Sequence, residues 1–317
     1  MEWFSRTFTS AHQTKKIPGI KAARGALPIN HFLFDDCLII THVNLTSVTN
    51  ILQFLEDFGA QYGQVINFDK SSILYSSNLD PSYCDSLSHI LGVKNMVSNE
   101  KYLGSPLLIG ISKVKSFEEI KTAFERRLAN WQGETTCQAG RGTMVKVVLN
   151  AVPLYQMSTF KIPKKLIKQL DTLQRKFFWG YKSNRGNNPI SWSDMCIPKE
   201  FGGQAFRDLE MLNQALLTKM VWRISTQQDL LCVKVLRAKY FRGEEFLHIQ
   251  NDRNNNSSWI WKGIEDGLKT LQRNVCMEIK MERRLEYGRI IGLSICMKNQ
   301  FLLIQVIKVI RMSHKPR

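Results

Sequence analysis

The stretch Asn30-His31-Phe32-Leu33-Phe34-Asp35-Asp36-Cys37-Leu38-Ile39-Ile40-Thr41-His42-Val43 decides how this chain is read. Two adjacent carboxylates, Asp35 and Asp36, interrupt two apolar runs rich in Ile, Leu and Phe. Acidic side chains do not continue a buried strand but suit a tight turn. The pattern therefore predicts a β-hairpin with the Asp pair at its tip. Strands on either side would hold the two carboxylates at a fixed point, where oxygen ligands bind Mg²⁺ beside a nucleic-acid phosphate. An ordinary hairpin with an acidic turn has the same local signature, because Asp is favoured in turns of every kind.

The surroundings narrow the choice. Gly19-Ile20-Lys21 leads through Pro28-Ile29-Asn30-His31 into the hairpin, and Gly63-Gln64-Val65-Ile66-Asn67-Phe68-Asp69-Lys70-Ser71 and Lys101-Tyr102-Leu103-Gly104-Ser105-Pro106 follow it. In order and approximate spacing these boxes resemble the palm of reverse transcriptases from plant LINE-type (non-LTR) retrotransposons. Phe34-Asp35-Asp36 stands at the place of that family's Phe-Ala-Asp-Asp. Later boxes extend the resemblance over roughly residues 17 to 272: Ala139-Gly140-Arg141, Pro153 to Ser158, Phe178-Trp179-Gly180, Cys196-Ile197-Pro198-Lys199, Gly202 to Leu209 and Leu236 to Phe241.

The resemblance implies an α+β fold. A truncated palm remnant of short antiparallel strands plus helices would occupy residues 1–110. A helical thumb-like domain would follow over 111–183, then a helical connector over 184–275 and a divergent basic and apolar tail over 276–317. It implies RNA-directed DNA synthesis as the family activity, Mg²⁺ as its cofactor and Asp35 and Asp36 as the metal ligands. It also makes Lys70 a candidate contact to an incoming triphosphate, a solvated lysine at the start of a strand being the plainer alternative.

The chain also departs from the family. Phe34 abuts Asp35 where the family has Ala between them. Side chains alternate along a strand, so losing one residue flips the preceding face or re-aims the carboxylates unless a bulge compensates. Two-metal nucleotidyl transfer needs carboxylates from more than one strand, and residues 1–28 show neither the upstream palm Asp nor the fingers. The expectation is a chain that begins inside the palm and extends no primer. The alternatives are a non-catalytic nucleic-acid-binding module, or a structural partner that supplies its acidic pair to a longer polymerase.

Composition agrees with a nucleic-acid partner, RNA or an RNA–DNA duplex. The 317 residues carry 44 Lys and Arg against 27 Asp and Glu, a net charge of +17, and a pI near 9.6. Such a balance favours a polyanion. Seven cysteines are scattered without metal-ligand spacing, which points to reduced thiols inside the cell, in cytoplasm or nucleus. No signal peptide or membrane span is legible.

Hydrophobic periodicity predicts helices over Thr46–Tyr62, Pro81–Leu91, Met144–Val152 and Leu209–Ile224, with Gly63 as a C-cap, Ser116 and Glu119 as a capping box and Pro153 as a helix stop. Ser72–Ser76 reads as a strand, and residues 1–28 as an irregular lead-in. Pro163–Trp179 is the most informative helix for binding. Leu166, Leu170, Leu173 and Phe177 form its apolar side, while Lys164, Lys165, Lys168, Arg175 and Lys176 take other faces and Lys161 extends the charge. A basic helical face of this kind tracks a phosphate backbone by charge. A solvated lysine-rich face looks the same in sequence. Trp259 and Trp261 read as core residues. The run Phe301 to Arg311 reads as a segment prone to pairing.

Overall fold

A computed structural model describes residues 2–33, 37–63, 67–96, 101–102, 104–129, 131, 136–181, 186, 188–241, 246–249, 257–274, 294–298 and 301–305. Phe34, Asp35 and Asp36 lie outside the described residues. The fold is α+β, with helices far outweighing short strands.

The first helix is one the sequence does not advertise. Residues expected as a lead-in form α1 (Glu2–Gln13), because Phe4 and Phe8, four apart, share one face and find apolar partners. Phe8 meets Phe54 at 4.2 Å between ring centres, and Phe4 meets Phe58 at 4.8 Å. The strand pairs β1 (Ile20–Lys21) with β2 (Pro28–Ile29) and β3 (His31–Leu33) with β4 (Cys37–Ile39) follow, both antiparallel. Leu33 faces Cys37 across β3 and β4, so the strand pairing expected on either side of the Asp pair is present.

His31 ties this hairpin to α1. Its Nδ1 lies 2.8 Å from Asn30 Oδ1 and its Nε2 2.8 Å from Ser5 Oγ. An amide oxygen only accepts, so Nδ1 carries the proton and Nε2 accepts from the serine. Burial holds the imidazole below its ordinary pKa, which keeps it neutral.

Local chemistry sets the next elements. Asn44 caps α2 (Leu45–Tyr62) by accepting from Ser47 N at 2.6 Å, and Gly63 ends it in the left-handed region at φ 64°. Asp80 caps α3 (Pro81–Leu91), with Pro81 in the first turn. The expected strand after Lys70 shortens to β5 (Ser72–Ile73), which pairs in parallel with β6 (Lys94–Asn95). The reason is that α3 connects them as a crossover and returns the chain in the same direction. Val48, Ile51 and Phe58 of α2, Leu87 and Leu91 of α3 and the two phenylalanines of α1 make one core.

After the hairpin β7 (Lys101–Tyr102) and β8 (Ser105–Pro106), the chain is helical: α4 (Lys113–Ser116), α5 (Glu118–Ala129), α6 (Gln138–Val147), α7 (Leu154–Met157), α8 (Lys164–Trp179), α9 (Trp192–Cys196), α10 (Leu209–Thr226), α11 (Leu231–Leu236) and α12 (Trp259–Asn274). The expected capping box does not form. Ser116 closes α4, where its hydroxyl bonds to Ser112 O and accepts from Gly110 N, and Glu119 pairs with Lys101 at 3.1 Å. The helix predicted to run to Pro153 ends at Val147, and a 3₁₀ turn over Leu149–Ala151 fills the gap.

The largest core gathers Phe117, Ile120, Phe124, Val145, Leu149, Leu166, Ile167, Leu170, Phe206 and Leu209. On α8 the apolar side is Leu166, Ile167, Leu170 and Phe178, all buried, while Leu173 and Phe177 are only partly so. Trp261 is core as expected, stacked on Tyr240 at 4.1 Å. At the far end, β9 (Ser294–Lys298) and β10 (Phe301–Gln305) pair antiparallel.

Gly263 and Gly267, one turn apart on α12, let that helix lie directly on α10. A Cβ at Gly267 would sit 2.9 Å from the carbonyl carbon and oxygen of Leu217 and from Val221 Cγ2. Overpacking of this kind costs about 1–3 kcal/mol, against the roughly 1 kcal/mol that alanine returns in helix propensity. Gly267→Ala is expected to lower the urea midpoint, with a net loss of up to about 2 kcal/mol. An unchanged or raised midpoint would contradict the close approach.

Candidate nucleic-acid interface

The N-terminal half of α8 projects its lysines because Leu166, Ile167 and Leu170 take the opposite side into the core. The entry to this helix is fixed from behind. Asn213, buried in α10, accepts from Ile162 N at 2.9 Å and donates to Met157 O and Phe160 O at 2.8 and 2.9 Å. Trp259 Nε1 donates to Lys161 O at 2.9 Å.

The structure sorts the sequence-predicted cations into groups. Lys164, Lys165 and Lys168 line one open groove of about 650 Å³ together with Gln169, Thr172 and Lys121 of α5. Lys164 also contacts Glu210 Oε1 at 2.6 Å. The hydrogen bond and charge of that carboxylate hold its ammonium above the usual lysine range. Lys161 points its charge inward, into an ion pair with Asp266 of α12. Arg175 is half-buried and lines a second notch, and Lys176 is half-buried without lining either. Lys70 is exposed at the end of the 3₁₀ turn Phe68–Lys70, on a different element from the groove. Asp35 and Asp36, the expected Mg²⁺ ligands, lie outside the described residues. Among the described residues no group of three or more His, Cys, Asp or Glu comes together to hold a metal.

Sequence reasoning missed several residues here. Lys121 forms the opposite wall, and its pairing with Glu125 at 3.5 Å reads in sequence as an ordinary surface couple. The second notch, about 410 Å³, continues from the first through Lys168 and Thr172 and adds Asp171, Arg175, Trp192 and Asp208. Nothing in the sequence singles out Asp171, four residues before Arg175. Burial and the charge of Asp208 instead raise its pKa to about 7, with Arg175 opposing. Burial also pushes the thiol of Cys196 in the same notch up to about 11, so it is an unreactive neighbour.

The fold and this groove define a helical protein with a cationic channel, a class of surface that accommodates polyanions. No helix among the described residues is long and apolar enough to cross a membrane. No family model matches the chain. It is 34% identical over 159 residues, 49% of its length, to an Arabidopsis thaliana protein provisionally named a ribonuclease H protein, of which the match covers 25%. It is also 34% identical over 131 residues, 41% of its length, to an uncharacterized mitochondrial protein of the same plant, of which the match covers 84%. The chain belongs to the same family as this mitochondrial protein.

The pKa of Asp171 has a consequence for stability. Raised in the folded state, the group binds a proton over a range in which the unfolded chain has released it. Its contribution to stability is therefore present below pH 4 and lost as pH rises through about 7. Asp171→Asn, a neutral isostere, is expected to match the wild type in thermal denaturation near pH 4 and to exceed it increasingly towards pH 8. A pH-independent difference would rule out the burial of an ionised carboxylate there.

Proposed function

We propose that the chain is a retroelement-derived protein, descended from a LINE-type reverse transcriptase, that binds RNA or an RNA–DNA duplex along the groove between α5 and α8 without polymerising. The observation that carries this reading is the convergence of Lys121, Lys164, Lys165 and Lys168 on one open channel. A net charge of +17 supports it, as does kinship with a protein named for ribonuclease H. Cations arranged along a helix meet phosphates through charge, and binding releases counterions.

The catalytic half of the ancestral activity would rest on Asp35 and Asp36 with Mg²⁺ supplying Lewis-acid stabilisation of the displaced oxygens. Phe34 abuts Asp35 where the family has Ala between them, a loss that flips the preceding face or re-aims the pair unless a bulge compensates, and this supports binding without chemistry. Two measurements test the proposal. Binding to a primer–template duplex is expected to weaken steeply with salt, and the double variant Lys165→Ala, Lys168→Ala to reduce the log–log slope by about 2. A flat salt dependence would dismiss the groove. Primer extension on an RNA template with Mg²⁺ is expected to yield no product, and incorporation abolished by Asp35→Asn would overturn the inactive reading.

A further inference from the structure

The two halves of the channel differ in charge. Four lysines line the first, whereas the second sets Asp171 and Asp208 against Lys168 and Arg175, a formal balance of zero. A phosphate gains nothing by entering a notch with two carboxylates. A neutral group with hydrogen-bond donors does. Asp171 Oδ1, Arg175 Nε and Trp192 Nε1 are all covered and without hydrogen-bond partners, so the surroundings of the notch hold polar capacity that the protein itself does not use. Trp192, stacked on Phe206 at 5.0 Å between ring centres, adds an aromatic wall, and about 410 Å³ lies within the range of small-ligand pockets.

We propose that this notch, between α8 and α9, seats the amino-bearing edge of an unstacked cytosine from a single strand whose phosphates lie along Lys121, Lys165 and Lys168. The proposal rests on the reading of the groove as a nucleic-acid surface. Single-stranded bases are recognised on their exposed edges and by stacking on aromatic rings, and a carboxylate accepts from the N4 amino group of cytosine. Uracil places a carbonyl oxygen at the same position, which a carboxylate repels. Asp208 already spends Oδ1 on Glu210 N and Met211 N at 2.8 and 3.0 Å, as the cap of α10. Asp171 caps no helix and takes the base through Oδ2, the oxygen other than its covered Oδ1.

The test uses the full chain and fluorescence anisotropy with labelled 12-mers of cytidine or uridine at one low salt concentration. At pH 8, with Asp171 ionised, the cytidine oligomer is expected to bind about fivefold tighter or more. Burial, Asp208 and Glu210 raise the pKa of Asp171 and Arg175 opposes them, while Lys168 and Cys196 line the same notch, and at pH 6 the preference is expected to shrink. Asp171→Leu is expected to bring the two affinities together while uridine binding holds or tightens. Should that variant not fold by circular dichroism, the wild-type ratio at the two pH values decides the matter. Equal binding of both oligomers by the wild type overturns the base notch and leaves the groove standing. Binding of neither overturns both.

Discussion

The side-chain amide of Asn213 is the constraint on which the binding face depends. It sits 3% exposed inside α10 and makes three hydrogen bonds to the backbone of residues 157–162, the segment that delivers the chain into α8. A buried amide with its partners satisfied fixes one geometry, whereas the same groups left unpaired would cost about 1–3 kcal/mol each. Holding the entry of α8 in turn holds Leu166, Ile167 and Leu170 in the core and turns the lysines outward. The close approach of α12 over Gly263 and Gly267 supports the same frame from behind, since Trp259 and Asp266 on α12 grip Lys161.

Within that frame, equal formal charges do unequal things. Lys161 is committed to Asp266 and Lys164 shares its charge with Glu210, while Lys165 and Lys168 remain exposed. Exposed ion pairs contribute little to stability, so the Lys164–Glu210 contact matters more for where the field of the groove is strong than for holding the fold. The field declines along α8 from the lysines towards Asp171 and Asp208. That gradient follows from the order of residues in α8, where the lysines precede Asp171, and from Asp208, the cap of α10, which lines the same notch.

What was legible in the sequence was local. The C-cap at Gly63, the amphipathic stripe of α8 and the strands on either side of residues 34–36 all rest on residues within a turn or two of each other. What was not legible depended on distant partners. Phe4 and Phe8 form a helix face only because Phe54 and Phe58 receive them. Ser116 has the spacing of a capping box, but Gly110 N and Ser112 O occupy its hydroxyl. Lys161 looked like a phosphate contact until Asp266, 105 residues away, claimed it. The acidic notch was invisible for the same reason: Asp171 lies in α8 and Asp208, 37 positions later, caps α10. The boxes quoted from the sequence say nothing of the groove, whose opposite wall comes from Lys121 on α5.

The tie between α1 and the acidic hairpin bears on how the protein is handled. Ser5, Asn30 and His31 form one hydrogen-bonded joint, Asn30 Nδ2 also donates to Phe8 O at 2.8 Å, and Phe8 lies fully buried beneath it. A tag junction, protease site or trimming point placed among residues 2–13 would strip the lid from an aromatic cluster and leave the strand before Asp35 unanchored. Recombinant versions that keep this helix intact preserve both the cover over Phe8 and the anchor of β3.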